Sequence, residues 1–200
     1  MVGWLVAIME SPPPLPVIDR ELRARVLAKR MLRVEVRPKM ITSFTRIPRN
    51  RLAAMRRRLG LPPVSRTLGR TRCNAMAFVS SADRRFQSSA LAALLAIYGL
   101  VDPQEPSVGG HLDRIDIGER LFEIYDYVRE CFPELEIDFE GLVLLRTSLR
   151  RREVIQIATC ERCQALIVAE RFDRKHRTCM LCCEGAEART AGHTLSKSAS

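Results

Sequence analysis

Apolar residues recur at three- and four-residue intervals along most of this chain, which is the spacing of helices that bury one face. The spacing predicts long helices from Asp19 to Val36, from Asp113 to Cys131 and from Asp138 to Arg152. Two more stretches, Asn74 to Val79 and Ser88 to Val101, are rich in Ala, Leu, Ile and Phe and are typical of buried helices. The apolar face of the first long helix carries Leu22, Val26, Leu27 (or Met31) and Val34, and it needs a partner, either the domain behind it or a second chain. The side chains expected to face inward in the other two long helices are Ile117, Leu121, Ile124, Tyr125 and Val128; and Leu142, Leu145 and Leu149. The pattern therefore predicts a mainly α fold.

Residues 38–60 have the pattern of two short helices joined by a tight turn. We expect one helix from Pro38 to Thr45, a turn at Arg46-Ile47, and a second helix from Pro48 to Leu59, with Gly60 as its C-cap. Helix, tight turn and helix is the plan of a helix-turn-helix.

The second of these helices has an apolar face and a face that suits contact with bases. At about 100° per residue, one face carries the apolar residues Leu52, Met55 and Leu59. The opposite face carries small and hydrogen-bonding residues, namely Asn50, Ala53, Ala54 and Arg57, flanked by Arg49. Alanine lets a helix approach base edges closely, asparagine can pair with adenine, and arginine can pair with guanine or phosphate. Arg51, Arg56 and Arg58 lie to the sides, where phosphates are the better partners.

The charge of the chain is concentrated in the same region. The net charge is +10, and the segment from Val36 to Ala82 contains eleven basic residues and no acidic one. A solvated surface normally mixes the two signs, so this run favours a polyanionic partner and, with the two short helices, duplex DNA. The residues predicted to contact DNA are Arg46, Arg49, Asn50, Arg51, Arg56, Arg57 and Arg58, together with Arg174 and Lys175 from a second basic stretch.

Two Cys-x2-Cys pairs predict a metal site near the C-terminus. Cys160 and Cys163 are followed, after fifteen residues, by Cys179 and Cys182. Each pair can form a knuckle that offers two thiolates, and the segment between the pairs can fold back as a hairpin, so the spacing predicts one tetrahedral zinc ion per chain. Four thiolates leave no open position, which indicates a structural ion. A redox pair is disfavoured because no strand-then-helix pattern surrounds either motif.

The remaining chemistry-bearing residues do not suggest an enzyme. The acidic residues of the helix after Asp113 are interpreted as a solvated face: Asp116, Glu119, Glu123, Asp126 and Glu130. The histidines at 111, 176 and 193 stand alone, and no pairing of a nucleophile with a base is recognisable.

Composition also predicts the domain organisation and the compartment. The apolar run Met1 to Met9 lacks the basic start of a signal peptide and is too short to span a membrane, so no membrane partner is expected. An odd count of seven cysteines, four with metal spacing, fits a reducing cytoplasm. We expect an arm over 1–18, a helical domain over 19–155 with the helix-turn-helix at about 38–60, a four-cysteine zinc ribbon over 156–184 and a disordered tail over 185–200.

The order of these motifs resembles the FlhC family of flagellar transcriptional activators. The resemblance rests on "RNRLAAMRRRLG", a following "LPP", "RCNAMAF", "YVRECFPE" and "ATCERCQALIVAERF" with a later "CMLC". It implies a DNA-binding subunit that acts with a small helical FlhD-like partner and RNA polymerase at promoters. The family's zinc ligands map onto the four cysteines, its arginine-leucine segment onto Arg49, Arg51 and Leu52, and its Cys-Asn-Ala motif onto Cys73, Asn74 and Ala75.

The chain also departs from the family pattern. The stretch "VSRTLGRTR" stands where flagellar members are rich in aromatic residues, and the second short helix is more basic. Similar activators also occur on conjugative elements, so the target genes are either flagellar or conjugative-transfer genes. An exposed apolar face from Leu22 to Val34 is expected to dock the partner subunit.

Two other functional classes remain as alternatives. A zinc-ribbon protein that binds RNA or the ribosome fits the charge, although no aromatic residue lies between Thr45 and Met76 to stack on bases. A zinc-supported enzyme fits least, because no open metal position is predicted.

Overall fold

Seven helices and one two-stranded antiparallel sheet make up the described part of the chain, so the predicted mainly α fold is confirmed. The computed structural model describes residues 17–63, 74–104, 112–133, 137–172 and 177–183. In chain order the elements are α1 (Val17–Arg33), α2 (Pro38–Thr45), α3 (Arg49–Arg58), a short 3-10 helix (Ala75–Phe78), α4 (Ala82–Ile97), α5 (Arg114–Cys131), α6 (Phe139–Arg151), β1 (Ile155–Thr159) and β2 (Leu166–Glu170).

Several sequence predictions lie outside the described residues. They concern the arm up to Pro16, the loop Val64 to Thr71 with Cys73, the histidines at 111, 176 and 193, and the tail over 185–200. None of the described helices combines the length and the apolar character that crossing a bilayer requires.

The predicted apolar face of α1 is divided between the core and the surface. Leu22 and Val26 are 60% and 49% exposed, whereas Leu27 and Met31 are buried. The face that packs against the core carries Ala24, Leu27, Ala28, Met31 and Leu32. Gly118 of α5 lies against this face: a Cβ on Gly118 would be 2.7 Å from Leu27 Cδ2. The side of α1 that carries Leu27 therefore packs against the core, and the side that carries Leu22 and Val26 does not.

Ion pairs fasten the polar edge of α1 to α5. The bonds are Arg20–Asp113 at 3.0 Å, Arg23–Asp116 at 2.5 Å, Arg23–Glu119, and Arg30–Asp126 at 2.6 Å. The hydrogen bonding in which Arg23 donates to the Glu119 carboxylate is the main reason that the pKa of Arg23 is raised. The interpretation of the acidic residues of α5 as a solvated face is therefore wrong for Asp116 and Glu119, which are half-buried and neutralise Arg23 of the neighbouring helix, whereas Asp126 is paired but exposed. Their partners lie more than ninety residues away in the sequence.

The inward residues predicted for the last two long helices are confirmed. Ile117, Leu121, Ile124, Tyr125 and Val128 of α5 and Leu142, Leu145 and Leu149 of α6 are all buried. Asp138 caps α6 by accepting a hydrogen bond from the Gly141 N–H at 2.6 Å. Phe139 lies among Phe44, Phe122 and Tyr125, with ring centroids 5.1 to 6.3 Å apart. These rings join α2, α5 and α6 into one core.

The helix predicted to start at Ser88 begins earlier. α4 starts at Ala82, after Ser81, whose Oγ accepts a hydrogen bond from the Arg84 N–H at 3.1 Å and so caps the helix. The first turns of α4 are mostly polar, so apolar spacing did not predict where the helix begins. The helix ends before Gly99, which has a φ of +66°.

The two strands form a hairpin that packs onto α4 and α6. Ile155 pairs with Glu170 and Thr159 pairs with Leu166. The Val168 N–H donates to Ser89 Oγ of α4 at 2.9 Å, and Ile155 and Val168 belong to the same buried cluster as the helices. The hairpin was expected between the two cysteine pairs, but its turn instead contains the first pair.

Candidate metal centre and basic surface

Two loops bring the cysteine pairs together. Cys160 and Cys163 lie in the turn between β1 and β2, and the second pair lies on the short segment 177–183. The Cys160 N–H donates to the Ala165 carbonyl at 2.8 Å, which closes the turn. Residues beside the cysteines then join the two loops: the Glu161 N–H donates to the Arg177 carbonyl at 3.1 Å, and Arg162 Nη1 donates to the Cys182 carbonyl at 3.0 Å.

The four sulfur atoms lie close enough together to share one metal ion. The Sγ atoms of Cys160, Cys163, Cys179 and Cys182 all lie within 4.8 Å of one another. The distance from Cys163 Sγ to Cys179 Sγ is 3.6 Å, well beyond the roughly 2.0 Å of a disulfide bond. Zinc–sulfur bonds of about 2.3 Å place tetrahedral ligands about 3.8 Å apart. The cluster can therefore hold a metal ion such as zinc.

Backbone amides favour the ionised form of the innermost thiol. Cys160 is fully buried, and the N–H groups of Cys179, Cys163 and Arg162 lower its pKa to about 6. Hydrogen bonds with the thiols of Cys179 and Cys163 raise the pKa of Cys182 to about 12. One thiolate therefore forms readily at neutral pH, whereas ionising the whole cluster needs a cation to compensate the negative charge.

A metal bound by these four thiolates would have a structural role. All four positions of a tetrahedral ion would be filled by protein ligands, so no position remains for water or substrate. The ion would link the hairpin turn to the segment 177–183. Of the two adjacent thiols at the end of that segment, Cys182 belongs to the cluster and Cys183 does not.

The turn between α2 and α3 is held by its own side chains. Arg46 has a φ of +59° and donates its N–H to the Thr42 carbonyl at 2.9 Å. Thr42 Oγ1 donates to the Ile47 carbonyl at 2.9 Å, and Thr45 Oγ1 accepts from the Ile47 N–H at 3.2 Å. Pro48 was expected to be the first residue of α3. It is instead the N-cap, so the helix begins one residue later than predicted. These bonds fix the direction in which α3 leaves α2.

The faces of α3 agree largely with the sequence pattern. Leu52 is buried, and Met55 and Leu59 are partly buried against the core, as predicted. Of the residues predicted to read bases, Ala54 is half-buried and the others are exposed. The exposed residues are Arg49, Asn50, Ala53 and Arg57. The Asn50 side-chain oxygen accepts from the Arg51 N–H at 2.8 Å, which leaves the amide NH2 available to a ligand.

Arg56 is not on the exposed surface, so its predicted contact with phosphate is wrong. Its side chain is 8% exposed, its Nε donates to the Pro62 carbonyl, and its Nη2 lies 3.8 Å from Glu35 Oε1. The guanidinium thus joins the end of α3 to the α1–α2 turn and to the chain that follows α3. Helical spacing alone placed Arg56 at the side of α3 and did not reveal these two partners.

A cleft lies beside α3, between α1 and the start of α5. Its volume is about 960 Å³, and we call it the basic cleft. Its apolar lining includes Phe44, Met55, Leu59 and Ile115, and its charged lining is Arg20, Glu21, Arg25, Lys29, Arg46, Arg51, Arg58, Asp113 and Arg114. Arg46, Arg51 and Arg58 were predicted from sequence, whereas Lys29 and Arg114 were not, because they come from other helices and belong to no basic run.

The cleft divides the cationic residues of this region into two groups. Arg46, Arg51 and Arg58 line it, whereas Arg49 and Arg57 lie on the outer face of α3 and do not. None of these five forms an ion pair with a described residue. Arg174 and Lys175, the other predicted contacts, lie outside the described residues.

A second groove separates α4 from the metal centre. Its volume is about 660 Å³, and its lining is mainly apolar. Phe86 and Leu181 border it and are 48% and 71% exposed.

Neither a scan against protein-family models nor a search of curated protein sequences returns a match to this chain.

Proposed function

We propose that this chain is a DNA-binding subunit of a transcription activator, with α2 and α3 acting as a helix-turn-helix. The proposal rests on one observation, which is that the exposed arginines near α3 have no acidic partners. Arg20, Arg23 and Arg30 of α1 pair with carboxylates of α5 and its N-cap. The exposed arginines on and beside α3 have no acidic partner among the described residues; they are Arg46, Arg49, Arg51, Arg57 and Arg58. Unpaired charge of one sign on a projecting helix matches the phosphates that flank a DNA groove.

The outer face of α3 would read the bases. Ala53 offers little steric hindrance there, so the helix can approach the floor of the major groove. Asn50 would pair with adenine, and Arg49 or Arg57 with guanine or a phosphate. A helix with its side chains is about 10–12 Å wide and the major groove about 12 Å, so phosphates of both strands would lie along its sides.

The metal would support DNA binding indirectly, by stabilising the fold. We propose one zinc ion per chain, held by Cys160, Cys163, Cys179 and Cys182. The ion would fix the loops at the far end of the β hairpin, whose strand β2 packs on α4. Folding of that region would therefore depend on zinc, without zinc contacting DNA.

The FlhC resemblance motivates the remaining partners. We propose that a small FlhD-like helical subunit completes the complex and that RNA polymerase is recruited at flagellar or conjugative-transfer promoters in the cytoplasm. Leu22 and Val26 are exposed on α1 and would form part of the docking surface for the partner subunit. Leu27 and Met31 would not, because they are buried in the core of the chain itself.

The test is DNA binding by the full chain, purified with its small helical neighbour and with its zinc quantified. A protection assay on candidate upstream regions identifies a site, and anisotropy then compares that site with random duplex across a salt series. We expect Arg57→Ala to weaken specific binding more than random binding. Arg33→Ala, which removes an exposed arginine at the end of α1, is the matched control and should change neither.

Two outcomes would contradict the proposal. Equal affinity of the wild-type complex for the candidate site and for random duplex at every salt concentration would remove the role as a sequence-specific activator. Tighter binding to single-stranded RNA than to duplex DNA would favour the RNA-binding alternative.

A further inference from the structure

The basic cleft has an excess of free positive charge. Its two carboxylates are already engaged, because Asp113 pairs with Arg20 at 3.0 Å and Glu21 pairs with Arg25 at 2.6 Å. Lys29, Arg46, Arg51 and Arg58 have no ion-pair partner among the residues that the structure describes. Arg114 makes only a long contact, 3.5 Å, with the Ser43 carbonyl. Five cations therefore face a shared space without a counter-charge.

The shape of the cleft strengthens the field of these cations. Its lining includes apolar side chains such as Phe44 and Met55, and it is built from α1, α2, α3 and the start of α5. A concave surface of one charge sign over low-dielectric walls focuses field lines and concentrates anions. An anion that enters such a cleft meets several cations at once.

The chemistry of the lining favours phosphate groups over base edges. All five cations are arginine or lysine, which bind phosphate well and carry no sequence information when they do so. Arg51 and Arg58 line the cleft from α3, and Lys29 lines it from α1. The cations therefore continue beyond α3, and successive phosphates of a strand that runs beside α3 could contact them.

We infer that the basic cleft binds the phosphate backbone of one DNA strand while the outer face of α3 lies in the major groove. Lys29 and Arg114 are thereby assigned to the DNA interface, although nothing in the local sequence marks them. The inference rests on the proposed function, because it takes duplex DNA as the ligand. It predicts a contribution to affinity that does not depend on base sequence.

The test uses the full zinc-loaded chain and a random duplex, so no knowledge of the operator is needed. We expect Lys29→Ala to reduce the slope of log affinity against log salt by about 0.9, the loss of one phosphate contact. At about 0.1 M salt this corresponds to roughly three- to eightfold weaker binding. Arg33→Ala removes the same charge from the same helix outside the cleft and should leave the slope unchanged. Arg114→Ala should repeat the Lys29 result from a different helix.

Each outcome separates the inference from the proposed function. If Arg57→Ala weakens binding to the protected site and Lys29→Ala matches the wild type in slope and affinity on random duplex, the cleft assignment is overturned and the proposed function stands. If Lys29→Ala matches the wild type and the wild type itself binds the candidate site no more tightly than random duplex at any salt concentration, both are overturned. Inorganic pyrophosphate provides the remaining arm: if it binds the wild type but not Lys29→Ala, and duplex binding is the same in both, the cleft serves a small phosphorylated ligand instead.

Discussion

Arg56 and Arg57 are adjacent in sequence, yet the structure places them in opposite environments. Arg56 is buried with its guanidinium at the Pro62 carbonyl, and Arg57 is exposed on the outer face of α3. Replacing each by methionine removes the same charge while keeping much of the side-chain volume. The pair of variants therefore tests whether burial, and not position in a basic run, decides what an arginine does in this protein.

The stability cost of Arg56→Met follows from its contacts. A hydrogen bond that involves a charged group contributes about 1.5–3 kcal/mol, and the Pro62 carbonyl would lose its donor. The ion pair with Glu35 adds at most about 1 kcal/mol, because Glu35 is 55% exposed and water screens the 3.8 Å contact. We expect a total loss of about 2–4 kcal/mol, or a melting temperature lower by roughly 5–15 °C for a chain of this size. Arg57→Met should change stability by less than about 0.5 kcal/mol.

Urea unfolding followed by circular dichroism gives the stability, and anisotropy with duplex DNA gives the affinity of each variant. We expect Arg56→Met to lose stability while retaining DNA affinity below its unfolding transition, and Arg57→Met to do the reverse. The reasoning is refuted if Arg56→Met unfolds at the wild-type urea concentration and weakens DNA binding as much as Arg57→Met does. That result would mean that Arg56 reaches phosphate after all.

Two further predictions concern the core and the metal centre. Gly118→Ala should lower the free energy of unfolding by about 1–2 kcal/mol, because overpacking against Leu27 exceeds the gain in helix propensity; the double variant with Leu27→Val should recover part of the loss in a denaturant titration. Cys163→Ser should abolish stoichiometric zinc binding measured by metal analysis, whereas Cys183→Ser, outside the cluster, should retain one zinc per chain. Equal zinc content in the two cysteine variants would show that the four thiols do not form the site.

Local periodicity was enough to predict most of the helices of this protein. The bounds of α2 and the inward faces of α5 and α6 follow from apolar spacing, because a helix repeats every 3.6 residues whatever it packs against. The β hairpin was harder to predict, because β1 has only five residues and its pairing partner lies beyond the turn that carries the first cysteine pair. The sequence of either strand alone does not show which segment it pairs with.

The sequence by itself determined the four clustered cysteines and the basic character of α2 and α3, since both depend on residue type and short spacing. Only the tertiary structure decided which arginines are exposed, paired or buried. Arg56 meets Glu35, and the arginines of α1 meet the carboxylates of α5, across separations of about twenty to nearly a hundred residues. Lys29 and Arg114 join the basic cleft for the same reason. When helices pack their apolar faces together, the packing also decides which polar side chains meet. Residues far apart in the sequence take part in these contacts, so a local sequence pattern cannot predict them.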